Sequence, residues 1–256
     1  MVKLSFTLLS LFACSSVVAN DRGFDLEMGP YMSYMDYSEH GDVSQYGVLT
    51  GVLARYSSYY NFSVLFLDVS YASDDINQKG AGKIKSVKNE VYDLRSMIGR
   101  ALYVNNRYRI TPYLGLGYRR SLVDSRGKLS SSSIEGYKSQ QTYLYNPIGI
   151  EFQELVDEAG WALGARIEYD TVLLARNETR LSAAEGYRAI ETDLTKARGY
   201  HFYLQLQRLL NPDGGGIVIE PFYKYWQAND AEKTGLAANT ANHSSNEWGV
   251  SLLLSF

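Results

Sequence analysis

The residues best placed to do chemistry are charged side chains recurring at every second position. Arg166, Glu168 and Asp170 share one face with Ala162 and Gly164, while Trp161, Leu163, Ala165, Ile167 and Tyr169 share the other. Glu220 and Lys224 sit in a second alternating stretch, and Asp93, Arg95, Arg109, Arg119 and Glu151 in others. Both signs are present, which allows two uses. Paired charges can cross-brace an interior, each offsetting the cost of holding the other away from water. They can also form a constriction that selects permeating solutes. Only His40, His201 and His243 are available as bases titrating near neutrality. His201 alternates with Tyr203 and Gln205 and reads as a hydrogen-bonded interior residue. The histidines are far apart and the acids lack recognisable ligand spacing, so no metal site and no cofactor is expected.

These side chains belong to an exported chain. Lys3, the apolar run Leu4 to Phe12, and Val17-Val18-Ala19 before Asn20 have the form of a cleaved signal peptide over residues 1–19, leaving a mature part of 20–256. The run is well short of the roughly 18 apolar residues of a spanning helix. Leu11-Phe12-Ala13-Cys14 offers an alternative, a lipoprotein cleavage box that would lipidate Cys14, though Phe12 fits it badly. Cys14 is the only cysteine, so cleavage after Ala19 leaves no thiol or disulfide. The same cleavage removes Lys3 from 25 basic residues; the remaining 24 against 28 acids give −4, a balance that argues against nucleic acid as a partner.

The elements that position the charges are two-faced strands. In the last, Trp248, Val250, Leu252, Leu254 and Phe256 oppose Glu247, Gly249, Ser251 and Ser255, with Leu253 the exception. The first sets Phe24, Leu26, Met28, Met32 and Tyr34 against Asp25, Glu27, Tyr31 and Ser33; the second sets Tyr46, Val48, Val52 and Tyr56 against Gly47, Gly51 and Arg55. Further strands are expected near 60–72, 90–103, 107–122, 138–152, 198–209 and 216–227. The sum is a single-domain, all-β, transmembrane antiparallel up-and-down barrel of ten strands, within a range of eight to twelve. The 22 tyrosines, with Trp161 and Trp248, suit the two membrane interfaces. Short turns are expected at 57–59, 104–106, 155–160 and 210–215, and longer loops at 37–44, 73–89, 123–137, 174–197 and 228–245. Pro30, Pro112, Pro147 and Pro221 fall inside strands and are read as bulges near the short-turn rim. Counting outward from Asn105-Asn106 puts Asp93 and Arg119 at one height on adjacent strands, where they pair.

With the strands placed, Thr111-Pro112-Tyr113-Leu114-Gly115-Leu116-Gly117-Tyr118-Arg119, Tyr143-Leu144-Tyr145-Asn146-Pro147-Ile148-Gly149-Ile150-Glu151 and Val218 to Trp226 resemble stretches of small bacterial outer-membrane β-barrel proteins of porin-family type. The ending Ser245 to Phe256 is similar to the signal by which such barrels are recognised for insertion; the resemblance implies Trp248, Val250, Leu252, Leu254 and Phe256 as that signal. It also implies the barrel assembly machinery and outer-membrane lipids, lipopolysaccharide included, as partners. It implies location in the cell outer membrane and not activity. No sequence feature specifies an oligomer.

The expected role is structural or narrow-pore, with a cross-braced lumen, and catalysis is not the leading expectation. Two other classes stay open. His243-Ser244-Ser245-Asn246 resembles the His-x-Ser-Asn motif of lipid A deacylases, which implies His243 as the base activating a Ser245 nucleophile; the motif lies in an expected polar loop, and those barrels are smaller. Ten strands would suit the omptin proteases, but Gly199 stands where their Asp-x-His arrangement needs an acid, and Asp74-Asp75 is adjacent rather than spaced by one. The charged stretch Leu174 to Ala197 and the basic stretch Lys79 to Lys88 would serve an adhesin or receptor.

Overall fold

Alternation at a period of two fixes the face of each side chain, and it needs a partner strand on both sides to satisfy the backbone. The computed structural model describes residues 22–39, 43–80, 82–105, 107–154, 160–180, 190–210, 215–231 and 243–256. The expected signal peptide, His40 and the loop charges Glu185 and Arg188 lie outside them. The strand segments are β1 (Arg22–Glu39), β2 (Val43–Tyr60), β3 (Ser63–Lys79), β4 (Lys83–Arg100), β5 (Leu102–Val104), β6 (Tyr108–Asp124), β7 (Lys138–Glu154), β8 (Trp161–Arg180), β9 (Ile190–Leu209), β10 (Gly216–Ala231) and β11 (His243–Ser255). Sequence neighbours pair antiparallel except β4 and β5, which both pair with β6, and β1 pairs with β11, Tyr34 opposite Trp248, which closes the sheet and removes its edges. β5 continues β4 on one unbroken register against β6, so eleven segments make a ten-stranded barrel.

Several expected boundaries are corrected. Three of the four strand prolines mark no bulge, while Pro147 lies two residues from a register shift at Leu144/Tyr145. The register runs straight past Pro30, which pairs with Val52, and the same sum of residue numbers holds on either side of Pro112 and Pro221. Their effect is local: Pro112 brings no N–H to the ladder, and opposite it β4 gives way to β5. The other register shifts fall away from the prolines, at Ile76/Gln78 and either side of Asn229. The turn expected at 57–59 lies further on. Asn61 and Phe62, at φ 46° and 69°, form it between paired Tyr60 and Ser63, the left-handed geometry that matches hairpin twist.

Most expected long loops shrink because the strands continue past the apolar band. β3 and β4 meet across residues 80–82 instead of 73–89, and β8 and β9 reach Arg180 and Ile190. The segment 243–246 is strand, not polar loop. At about 3.3 Å per residue and a tilt near 40°, an 18-residue strand climbs about 45 Å, against an outward apolar band about 25 Å tall. The barrel wall therefore stands above the membrane on the long-loop side.

Outside, Met32, Val52, Val69, Leu94, Leu116, Ile148, Ile167 and Leu252 are each 51–59% exposed or close to it, a surface that water would not favour and lipid would. Aromatic pairs flank this band. Tyr34–Trp248, Tyr71–Tyr92 and Tyr169–Tyr200 lie toward the long-loop end, and Phe24–Tyr56 and Tyr108–Phe152 toward the short-turn end. Inside, the lumen is layered. Val64, Phe66, Met97, Ala101 and Tyr113 form an apolar plug near the short turns. A charged layer follows, and Tyr143, Tyr145, Ala175 and Trp226 cap it.

Candidate functional site

Inward positions on β1 to β4, β6 and β8 to β11 deliver the charged layer. Asp68 is its hub: Arg55 Nε lies 3.4 Å from Oδ1, Arg166 Nη1 3.5 Å from Oδ2, and Arg95 donates to Oδ2 from the neighbouring strand. Arg55 also donates to Glu27 at 2.8 Å and through both Nη atoms to Glu220 at 3.0 and 3.1 Å. Arg95 donates to Glu168 at 2.8 Å, and Tyr113 donates its hydroxyl to the other oxygen of Glu168 at 2.8 Å. All these side chains are buried. Charges held in so dry a layer attract strongly, and each depends on its partners to offset desolvation.

Above the hub, Arg119 reaches Asp93 at 3.7 Å and Glu247 at 3.4 Å. Asp93 and Arg119 are register partners on β4 and β6, as counting from the Asn105 turn suggests. Lys224 stands opposite Glu247 in the ladder, with its ammonium over the Phe222 ring at 5.0 Å. Arg166 also covers the Tyr203 ring at 4.4 Å. Glu151 is set apart: it takes a 3.3 Å contact from Arg109, near the short-turn end. So Asp93, Arg95, Arg119, Arg166, Glu168, Asp170, Glu220 and Lys224 share one connected region and Glu151 belongs to a second.

Spacing along the chain does not reveal that Glu168, Asp170 and His201 converge, with one ligand atom from each within 4.8 Å of the others. His201 Nδ1 lies 2.9 Å from Glu168 and Nε2 3.3 Å from Asp170, the ring standing between two carboxylates. One ion cannot reach both ring nitrogens. Of the two ring nitrogens only Nδ1 makes a hydrogen bond to an acid, Glu168; Nε2 and both Asp170 oxygens have no hydrogen-bond partner among the described residues. Arg55, Glu27, Asp68 and Glu247 were not among the expected site residues. Three of them show in the alternation of their strands, but Asp68 is flanked by residues apolar on both faces.

The cavity inside the charged layer measures about 20 Å³ and touches Arg55, Asp68, Arg95, Glu220 and Lys224, room for about one water. A larger cavity of about 260 Å³ opens above it, with Trp226 at its base and walls from β1, β2, β6, β7, β8 and β11. His243 and Ser245 both line this upper cavity, one face of β11. His243 Nε2 lies 2.9 Å from the Tyr143 hydroxyl, and the ring is 5.8 Å from Tyr37. The pair thus faces the interior and not the lipid.

No family model matches the sequence, and no curated protein does. Among solved structures, the outer membrane protease OmpT from Escherichia coli aligns at a TM-score of 0.68 and 9% identity, over 94% of this chain and 98% of that chain. The translocator domain of the autotransporter NalP from Neisseria meningitidis gives 0.46 and 10%, over 91% and 88%, and the outer membrane protein OprG from Pseudomonas aeruginosa 0.40 and 10%, over 91% and 95%. At such identities a likeness is one of fold. With its closed sheet, apolar outer band and the first of these alignments, the chain has the fold of the bacterial outer-membrane β-barrel proteins.

Proposed function

We propose that this chain is an exported, integral outer-membrane protein with a structural, surface-presenting role, its barrel closed at mid-height by the charged layer. The observation that carries this reading is the absence of room in that layer: a cavity of about 20 Å³ does not pass a hydrated ion. The apolar plug beneath it works in the same direction. A cleaved signal over residues 1–19, insertion through Trp248 to Phe256, and contact with lipopolysaccharide belong to the same reading. The test is conductance of the refolded protein in a planar bilayer, after the unheated sample has shown the gel mobility of a folded barrel. Silence is the expected result. Discrete steps whose ion selectivity changes in Arg166→Ala would replace it with the narrow-pore reading.

The enzyme readings draw less support. A deacylase acting on membrane-borne acyl chains needs His243 and Ser245 within reach of lipid, and both line the interior cavity. The likeness to a protease brings no acid to position 199, a buried glycine, and His201 is 2% exposed beneath Trp226. Deacylation of lipid A that a Ser245→Ala variant lost would restore the first of them. The adhesin reading rests on Leu174 to Ala197 and Lys79 to Lys88; residues 81 and 181–189 lie outside the described part, and most of the remainder is strand of β3, β4, β8 and β9.

A further inference from the structure

We propose that the upper cavity is a binding site for a sugar of one or two rings, taken from the outer side of the membrane; the proposal rests on the closed lumen beneath it. The cavity of about 260 Å³ lies just below the range of about 300–1,000 Å³ typical of drug-sized ligands. Its walls combine two kinds of group. Tyr37, Tyr143 and Trp226 supply ring faces, with Tyr143 stacked on Trp226 at 5.6 Å and 26°. Amides and hydroxyls, among them Gln141, Asn177 and Ser139, supply donors and acceptors. A sugar ring has the matching division, an apolar C–H face and an edge of hydroxyls.

The polar groups are held before any ligand arrives. Gln141 donates to the Tyr37 hydroxyl at 3.0 Å and accepts from Tyr143 at 3.2 Å, and Ser139 donates to Asn177 at 3.2 Å. Each amide keeps capacity for another bond, so the ligand meets fixed partners and little ordering cost. Charge narrows the class further. Arg119 and His243 line the cavity, and among the described residues no aspartate or glutamate does. The described lining therefore offers a cationic ligand no counter-charge and admits neutral and acidic sugars. Trp226 lines the base of the cavity, while its Nε1 is buried without a hydrogen-bond partner among the described residues and is closed off from the cavity.

The chain has three tryptophans, so a Trp161→Phe/Trp248→Phe protein reports fluorescence from Trp226 alone. Folded protein in detergent is titrated with N-acetylglucosamine, maltose and galacturonic acid, then with lipopolysaccharide and with its lipid-free core oligosaccharide. A saturable change with at least one probe, with half-saturation near or below about 1 mM and weakened at least tenfold by Gln141→Ala or Asn177→Ala, is expected. Response to the free core places the ligand in solution or on a free glycan; response to lipopolysaccharide alone places it on the membrane. No saturable change with any probe, or one that both folded variants leave unaltered, overturns the site. Bilayer conductance reports closure of the lumen separately, so failure of that reading is distinguishable from failure of this one.

Discussion

Arg55 and Glu220 lie 165 residues apart in sequence and meet across the lumen through two parallel hydrogen bonds, Nη1 to Oε2 at 3.0 Å and Nη2 to Oε1 at 3.1 Å. Their strands, β2 and β10, are separated in the sheet by β1 and β11, so the contact is a chord across the barrel rather than a ladder pair. Glu220 also accepts from Gln205 at 2.8 Å. Glu220→Gln keeps the shape and removes the charge, leaving Arg55 with Glu27 and Asp68. Breaking one partner of a buried pair costs about 3–5 kcal/mol, and the two remaining acids hold the expected loss near the lower figure. Urea-dependent folding into detergent micelles measures it; a change within about 0.5 kcal/mol would mean the chord contributes no stability.

Gly117 faces Tyr145, and a Cβ added at 117 would run into the Tyr145 ring. That ring is fully buried, donates its hydroxyl to Asp93 at 2.6 Å and packs edge-on against Trp226 at 5.1 Å. Gly117→Ala must therefore displace a side chain that both caps the charged layer and supports the base of the upper cavity. Overpacking of this kind costs about 1–3 kcal/mol. In a Tyr145→Ala background the same substitution should cost almost nothing, because the clash has been removed. Equal costs in the two backgrounds would locate the effect elsewhere.

What the sequence made legible follows from what a period of two can report. On the last strand and on Trp161 to Asp170 one face meets lipid and the other the lumen, so the pattern gives facing, and from facing comes the pairing of Asp93 with Arg119 across a short turn. Strand ends were misplaced where the wall leaves the lipid. On β3, Asp75 and Lys79 continue the ladder in water, where an outward side chain has no reason to be apolar. Asp68 was hidden because Val64 and Phe66 beside it fill the lumen's apolar plug, which makes both faces of β3 look alike. Cross-lumen partners such as Arg55 and Glu220, or the convergence of His201 on Glu168 and Asp170, depend on closure and shear of the whole barrel. Local pattern carries no trace of them.

Leu252 is 51% exposed on the outer face of β11, paired with Ile219 of β10. Its neighbours on that face, Val250 and Leu254, are exposed and apolar as well. Leu252→Arg places a guanidinium in the hydrocarbon, at a cost of roughly 2–4 kcal/mol near the midplane. Less folded protein in the outer membrane fraction is expected, whereas Ser251→Ala, on the lumen face, should leave assembly near normal. Full levels of folded Leu252→Arg protein would refute the lipid-facing assignment.

Asp124 ends β6 at the long-loop rim, beyond the apolar band, and Arg126 grips it from two residues away. Arg126 Nε donates to Oδ1 at 2.9 Å, Nη2 to Oδ2 at 2.6 Å and the backbone N–H to Oδ1 at 3.2 Å. The guanidinium hydrogen bonds hold the Asp124 carboxyl below its ordinary value, against a small opposing effect of burial. A carboxyl whose folded value is depressed stabilises the folded form above its unfolded value, and that contribution disappears as pH falls through the folded one. The loop that starts at Asp124 should therefore keep its order through the ordinary aspartate range and lose it only in stronger acid. Carbon NMR of the carboxyl gives the midpoint directly. Arg126→Ala should move that midpoint upward, and added salt should move it part of the way, since both side chains are partly exposed and screened. A midpoint unmoved by Arg126→Ala would show that the pair does not form in solution.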